Sequence, residues 1–363
     1  MARKNMGKVK HYNHSFYTGG QRIKRFAGTL ALLAALFFAG WLVGPAVIDF
    51  GTSTWYKLKH KIEDKPQQTQ SQAVLPAESQ PQQPEPESQA QPQATPEPVK
   101  TNPGEGKWSF VSVTAVKDAH QAEETAKQLA SQGVKYAVVT FKDDQGHVYY
   151  NSSVELAKAA ASSTVFDPAA TAKALKAQGI VPVAAVAAFK DPIAAGTERT
   201  MAVKYQNEDF LWLDAARDQG GKPWLNPASP AAVQYIADII AEAKGFGFEE
   251  IWLTNLQFPT ESGRSKANFG DMGGRSMAGV LKDALQMFNS QAPCWVEYSL
   301  EKVSMGAANP LIGGNPADLG VERLVLHTDE APDPEMLAAV VNAAKAGGVE
   351  TVALTQGMAF SLQ

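Results

Sequence analysis

Cysteine is almost absent from the 363-residue chain: Cys294 stands alone, which excludes a disulfide framework and a zinc site built on cysteines. Excess positive charge is absent too, since 33 Lys and Arg against 37 Asp and Glu leave a formal net charge of −4. A nucleic-acid binder driven by its overall field is thereby excluded. Three local absences divide the chain further. Residues 1–25 carry seven Lys or Arg and no acid, and residues 26–48 carry no charge at all. Residues 66–106 contain no Phe, Tyr, Trp or Ile, but hold 9 Pro and 10 Gln.

Each absence has a physical reading. The uncharged run Phe26–Ile48, FAGTLALLAALFFAGWLVGPAVI, has 23 residues; as a helix it would be about 34 Å long, enough to cross a hydrocarbon core of about 30 Å. It is also longer than the apolar region of a cleavable signal. The basic tail before it places the N-terminus in the cytoplasm and the bulk of the chain outside. Pro66–Gly106 cannot bury enough apolar surface to offset its ordering entropy, so it reads as a disordered, extended tether. The expected organisation is a basic cytoplasmic tail at 1–25, a transmembrane helix at 26–48, a juxtamembrane segment and linker at 49–107, and a folded domain at 108–363.

In that domain, β-rich runs recur between helical patterns. Phe110–Val116, Tyr136–Phe141, Val181–Ala187, Ile251–Leu256, Cys294–Tyr298, Arg323–His327 and Thr351–Leu354 read as strands. Helices are expected at Asp118–Gln132, Pro168–Gln178, Ser229–Lys244, Ser276–Asn289 and Pro334–Ala346, and His147–Tyr150 reads as a small hairpin. Alternating strands and helices in about 255 residues fit a (β/α)8 TIM-like barrel. Seven strands are counted, so the barrel is incomplete or its eighth strand is disguised between Leu300 and Glu322. An open doubly wound sheet would carry a glycine-rich phosphate loop after its first strand, and none follows Val116.

Ligands of such barrels bind at the C-terminal ends of the strands. Those ends place Lys142, Asp143, Lys190, Asp191, Asn255, Gln257, Glu297 and His327 there. The strings YAVVTFKDDQGHVYY, VAAVAAFKDP, PWLNPASPAAVQYIADIIAEAKGFGFEEIWLTNLQFP and AAKAGGVETVALT resemble, in order and spacing, a bacterial domain family assigned to the glycoside hydrolases, with a TIM-barrel fold and first catalogued as a domain of unknown function. The resemblance spans Phe110 to Leu354. It implies a carbohydrate-directed domain, which the basic tail and apolar run above would place outside the membrane, at the cell envelope.

The departures from that family's pattern are specific. Its V-I-D-V-K-D-D becomes Val139-Thr140-Phe141-Lys142-Asp143. Its I-A-R-I-V-V-F-K-D becomes Val183 to Asp191 with Ala185 for arginine, and its F-D-Y-I-R-F-P becomes Leu253 to Pro259 with Thr254 for the acid and Gln257 for arginine. Glycoside hydrolysis uses two carboxyl groups, one as acid and one as base or nucleophile. Threonine serves neither role, and acids lost together with arginines leave no uncompensated charge.

The expected function is therefore a degenerate, glycan-binding or scaffolding domain. The alternatives are an active hydrolase with relocated carboxylates, whose candidates are Asp143, Asp191 and Glu297, or a protein-interaction module. Lys142, Lys190, Trp212, Trp224, Asn255 and Gln257 are the candidate substrate-binding residues, the tryptophans as sugar-stacking platforms in the loop 204–227. Asp143 and Asp191 also suit turn and capping roles. His327 lacks companion ligands, so no metal is expected, and no cofactor either.

Overall fold

The computed structural model describes residues 103–363 except 207, 261, 262 and 358. The expected transmembrane helix and most of the tether lie outside the described residues, and among those described no helix is long and apolar enough to cross a membrane. In chain order the elements are β1 (Lys107–Val111), α1 (Ala119–Ser131), β2 (Val134–Lys142), α2 (Glu155–Ala159), α3 (Pro168–Ala177), β3 (Val181–Ala187) and α4 (Pro192–Thr197). There follow β4 (Lys204–Tyr205), α5 (Pro230–Gly245), β5 (Glu250–Thr254), β6 (Ala267–Asn268), α6 (Met277–Gln291), β7 (Cys294–Ser299) and α7 (Leu300–Ser304). The last are β8 (Arg323–Thr328), α8 (Pro334–Ala346), β9 (Thr351–Gln356) and β10 (Ala359–Leu362).

The main sheet has eight strands in the order β1-β2-β3-β5-β7-β8-β9-β10, a nearly closed, barrel-like α/β arrangement. Every pair from β1 through β9 is parallel, whereas β10 folds back antiparallel on β9. The eighth strand is thus not hidden between Leu300 and Glu322, where the chain forms α7 and single turns, but is the C-terminal AFSL. The edge strands β1 and β10 meet through side chains: Phe360 stacks on Trp108 with ring centroids 4.3 Å apart. Two boundaries also move. The first strand begins at Lys107 and ends at Val111, and the small hairpin expected at 147–150 is a tight antiparallel return in which Val148 bridges Lys142 and, on its other side, Ala161.

The strands read as near-continuous apolar runs because both faces are covered. Alternate residues point apart: Ala137, Val139 and Phe141 join the layer packed under the helices, while Tyr136 and Val138 join the interior cluster with Trp108, Val183, Trp252 and Trp295. Pro168, Pro230 and Pro334 each follow a residue whose side chain accepts from the first turn, Asp167, Ser229 and Asp333, and so does Pro192 after Asp191 in α4, a helix not among those expected above. One end of the interior holds an ion pair, Arg323 to Glu250 at 2.8 Å, with Trp295 Nε1 donating to the same carboxylate at 2.7 Å.

The segment before β1 packs on the barrel. Gly104 N–H donates to Tyr136 Oη at 3.0 Å and its carbonyl accepts from Trp108 Nε1 at 2.9 Å. Its φ of +82° suits glycine, and a Cβ there would lie 2.5 Å from the Trp295 ring. These two bonds, at about 0.5–1.5 kcal/mol each, predict that a chain starting at Trp108 melts about 2–8 °C below one starting at Thr101. Scanning calorimetry on the two checks this; equal midpoints would contradict it.

Candidate functional site

The C-terminal ends of the parallel strands surround a cleft of about 560 Å³, within the range of small-ligand sites. Thr140 of β2, Ala185 of β3 and Thr254 of β5 line it, as do Asn255 and Gln257 just beyond β5. Glu297 and Ser299 of β7, Lys302 of α7 and His327 of β8 complete the other wall, and Lys142, Asp143 and Asp144 stand at the β2 end. All four positions at which the sequence departs from acids and arginines are therefore gathered in one cleft.

The two Lys-Asp pairs are crossed rather than paired with their own neighbours. Lys142 Nζ lies 3.0 Å from Asp191 Oδ2 with neither side chain exposed, and it also donates to the Ala187 carbonyl at 2.6 Å. Asp191 Oδ1 accepts from Ala194 N at 2.8 Å, capping α4. Lys190 Nζ in turn meets Asp144 Oδ2 at 2.7 Å in a partly exposed pair. Burial acts to raise the Asp144 carboxyl, but hydrogen bonds from Lys190 and Gln145 and the Lys190 charge outweigh it and hold it below the ordinary range. Gly146 sits against Asp191 where no Cβ would fit, so the turn after β2 is closed directly onto this ion pair.

These contacts revise the candidate roles. Asp191, fully buried between Lys142 and a helix start, has no surface for a substrate, and Lys142 is occupied by it. Asp143 organises its turn: Oδ1 accepts from Gln145 N at 3.0 Å and His147 N at 2.8 Å, and Oδ2 from Tyr149 Oη at 2.7 Å. Burial together with that carboxylate pushes the Tyr149 hydroxyl up to about 12. Trp212 and Trp224 are 1% and 0% exposed, packed with Val203 beneath the β4–β6 pair. Trp212 Nε1 donates to the Gly263 carbonyl at 2.9 Å and Trp224 Nε1 to Asp214 Oδ2 at 3.1 Å. A stacking platform needs an exposed ring face, so these tryptophans are the foundation of the loop and not its binding surface.

Glu297 differs from the other acids. It projects into the barrel mouth, its Oε2 accepts from Trp252 Nε1 at 2.7 Å, and its Oε1 has no protein partner among the described residues. Burial raises its pKa, opposed by the Trp252 N–H and the charge of His327. His327 contacts Thr355 Oγ1 at 3.3 Å and Asp329 Oδ1 at 3.2 Å; among the described residues no cluster of His, Cys, Asp and Glu could hold a metal ion. Asn255, in left-handed conformation at φ +53°, and Gln257 present amides to the cleft. Sequence reasoning missed Trp252 and Lys302. Period-two alternation on β5 could have found Trp252, which shares a face with Thr254.

The barrel-like sheet and its mouth cleft define an α/β domain with a small-ligand-sized site at the strand ends. Residues 109–300, more than half of the chain, match the family described as "Putative glycosyl hydrolase domain", and the chain belongs to that family. No curated protein matches the sequence. Among solved structures, a hypothetical protein from Ruminiclostridium thermocellum ATCC 27405 is similar at 21% identity over 52% of this chain and 96% of that one, with a TM-score of 0.45. A family 20 exo-β-N-acetylglucosaminidase from Vibrio harveyi is similar at 11% identity over 70% and 42%, with a TM-score of 0.46. The chitobiase of Flavobacterium johnsoniae is similar at 9% identity over 70% and 38%, with a TM-score of 0.44. The chain spans less than half the length of these last two enzymes.

The crossed pairs predict unequal costs. Lys142→Met leaves Asp191 as a buried unpaired charge and should destabilise the domain by about 3–5 kcal/mol, whereas Lys190→Met removes a partly exposed pair worth about 0–1 kcal/mol. Adding Asp191→Asn to Lys142→Met should recover much of the loss while keeping the cap. Urea denaturation of the variants checks this; equal costs for Lys142→Met and Lys190→Met would contradict it.

Proposed function

We propose that the domain binds glycan in the mouth cleft without hydrolysing it, displayed outside the cell on a tether anchored by Phe26–Ile48. The observation that carries this is the gathering of Thr140, Ala185, Thr254 and Gln257 in one cleft, at the positions where the family resemblance implies two acids and two arginines. The cleft keeps the volume and hydrogen-bonding groups of a sugar site but not the paired carboxyls of hydrolysis. Of the acids that line it, Asp143 and Asp144 are held by their own turn and by Lys190. Glu297 alone offers an unpartnered oxygen among them.

One observation favours residual hydrolysis. A carboxyl with a raised pKa in a cleft is suited to general acid work, and Glu297 is such a group. It lacks a second ionised carboxyl free to act as base or nucleophile. A glycan array screen followed by turnover assays on every binder tests the reading. Binding with product formation at or near background is expected, since losing a catalytic acid or base costs about 10²–10⁴-fold. Joint Thr140→Asp, Thr254→Asp, Ala185→Arg and Gln257→Arg should raise turnover above that background. Hydrolysis at an ordinary enzymatic rate, abolished by Glu297→Gln, would establish the active alternative.

The membrane reading has its own test. Seven basic residues before an uncharged 23-residue run imply an inside N-terminus. Protease given access to the outer face of the membrane in intact cells should remove the barrel and leave a short N-terminal stub. A mature protein beginning near Gly51 would contradict the anchor.

A further inference from the structure

We propose that Tyr205 and Phe210 form an exposed stacking platform for a sugar ring on the rim of the mouth cleft, and that the ligand is an oligosaccharide long enough to occupy cleft and platform together. This rests on the glycan-binding reading above and adds a second contact for the same ligand. Of the aromatic residues in the loop 204–227, Trp212 and Trp224 are buried, whereas Phe210 is 66% exposed and Tyr205 39%.

The backbone sets the two rings side by side. Lys204 bridges Leu211 in antiparallel register, Tyr205 N donates to the Phe210 carbonyl at 2.8 Å, and Trp212 N donates to the Val203 carbonyl at 2.9 Å. Tyr205 therefore stands directly opposite Phe210, as Val203 does opposite Trp212, and opposed residues share a face. Residues two apart in extended chain share a face as well. The buried Val203 and Trp212 and the exposed Tyr205 and Phe210 thus make one apolar surface that runs from the interior out to solvent.

The platform is held while its rings stay free. Asp209, next to Phe210, is fixed by Lys204 Nζ at 2.8 Å and by Arg199, which donates to its carbonyl at 3.0 Å. Gln206, next to Tyr205, donates its N–H to the Lys266 carbonyl and accepts at its own carbonyl from Asn268 Nδ2, both at 2.6 Å. A ring whose backbone is already fixed loses little freedom when a ligand covers it.

Its place is on the mouth side. Chain leaving the C-terminal ends of β3 and β5 builds the β4–β6 pair, and the same two strands bring Ala185 and Thr254 to the cleft. Phe269, just after β6, packs on Phe258 with ring centroids 4.8 Å apart, and Phe258 N donates to the carbonyl of Leu311 in the cleft wall. Beside the hairpin lies a hollow of about 550 Å³ edged by the polar side chains of Gln206, Glu208, Lys266 and Asn268. Aromatic side chains carry about 150–250 Å² each, so at these exposures the two rings show roughly 200 Å². A standard protein contact needs about 800 Å² per partner. The patch is too small for that and matches a pyranose, whose C–H face covers a ring while its hydroxyl edge meets polar groups.

Titration calorimetry of the full-length chain in detergent tests this, with ladders from disaccharide to hexasaccharide prepared from cellulose, from chitin and from the strongest binder on a glycan array. The longer members of a bound ladder should bind about fivefold or more tightly than its disaccharide, the scale of one aromatic contact. Joint Tyr205→Ala and Phe210→Ala should remove that gain and leave disaccharide binding unchanged. Phe210→Trp should keep the gain and Phe210→Leu should lose it, since leucine is apolar but offers no flat face. Both rings are exposed, so the thermal midpoints of these variants should stay near that of the wild type.

Affinity independent of length, a gain untouched by the double substitution, or disaccharide and hexasaccharide weakened alike would overturn the inference and leave glycan binding standing. So would self-association of the chain in light scattering that Phe210→Ala abolishes, which would assign the rings to a contact between copies. Binding of no ladder and of nothing on the array would overturn both.

Discussion

A charge drawn into a barrel must find a partner or give up its ionisation, and this constraint organises the domain from one end to the other. At one end Arg323 and Glu250 satisfy each other beneath Trp295. At the mouth Lys142 and Asp191 are paired without any exposure. Where the family resemblance implies further acids and arginines, this chain has Thr140, Ala185, Thr254 and Gln257. Loss of both signs together leaves no orphaned charge. Glu297 is the exception that the constraint marks, a carboxyl in the mouth whose protein partner is an indole N–H and not a cation.

The same constraint explains which mouth residues are tied into the scaffold. The Lys142–Asp191 pair ties the end of β2 to the start of α4, and Gly146 allows the intervening turn to close against it. Removing either partner would expose a fold-level cost that removing a catalytic acid does not. Lys142 and Asp191 are therefore residues whose charges hold the backbone. In this reading the two Lys-Asp motifs are structural first, and their presence in a sequence is no sign of catalysis.

Much of the fold was legible in the sequence because doubly covered strands advertise themselves. YAVVTF and IWLTNL are short apolar runs of the kind that buried strands show, and Asp167-Pro168, Ser229-Pro230 and Asp333-Pro334 marked helix starts, while the same signal at Asp191-Pro192 went unread. Strand β10 was not legible, since AFSL is four residues long, largely exposed and antiparallel, and its place depends on Phe360 finding Trp108. The site was legible only in position. That Lys142 would pair with Asp191 and not serve a ligand is set by the parallel pairing of β2 with β3, which no local pattern states. Trp212 and Trp224 looked available because the residues that cover them, Ala267 and Phe269, lie more than forty positions away.

The central claim is that the mouth cleft holds sugar and leaves it intact. The most direct measurement is a crystal structure of the domain after prolonged incubation with an oligosaccharide that it binds. The account predicts an unbroken glycosidic linkage lying across Thr140, Thr254 and Glu297. A cleaved product in the cleft, a covalent adduct on Glu297, or a ligand seated elsewhere on the barrel would contradict it.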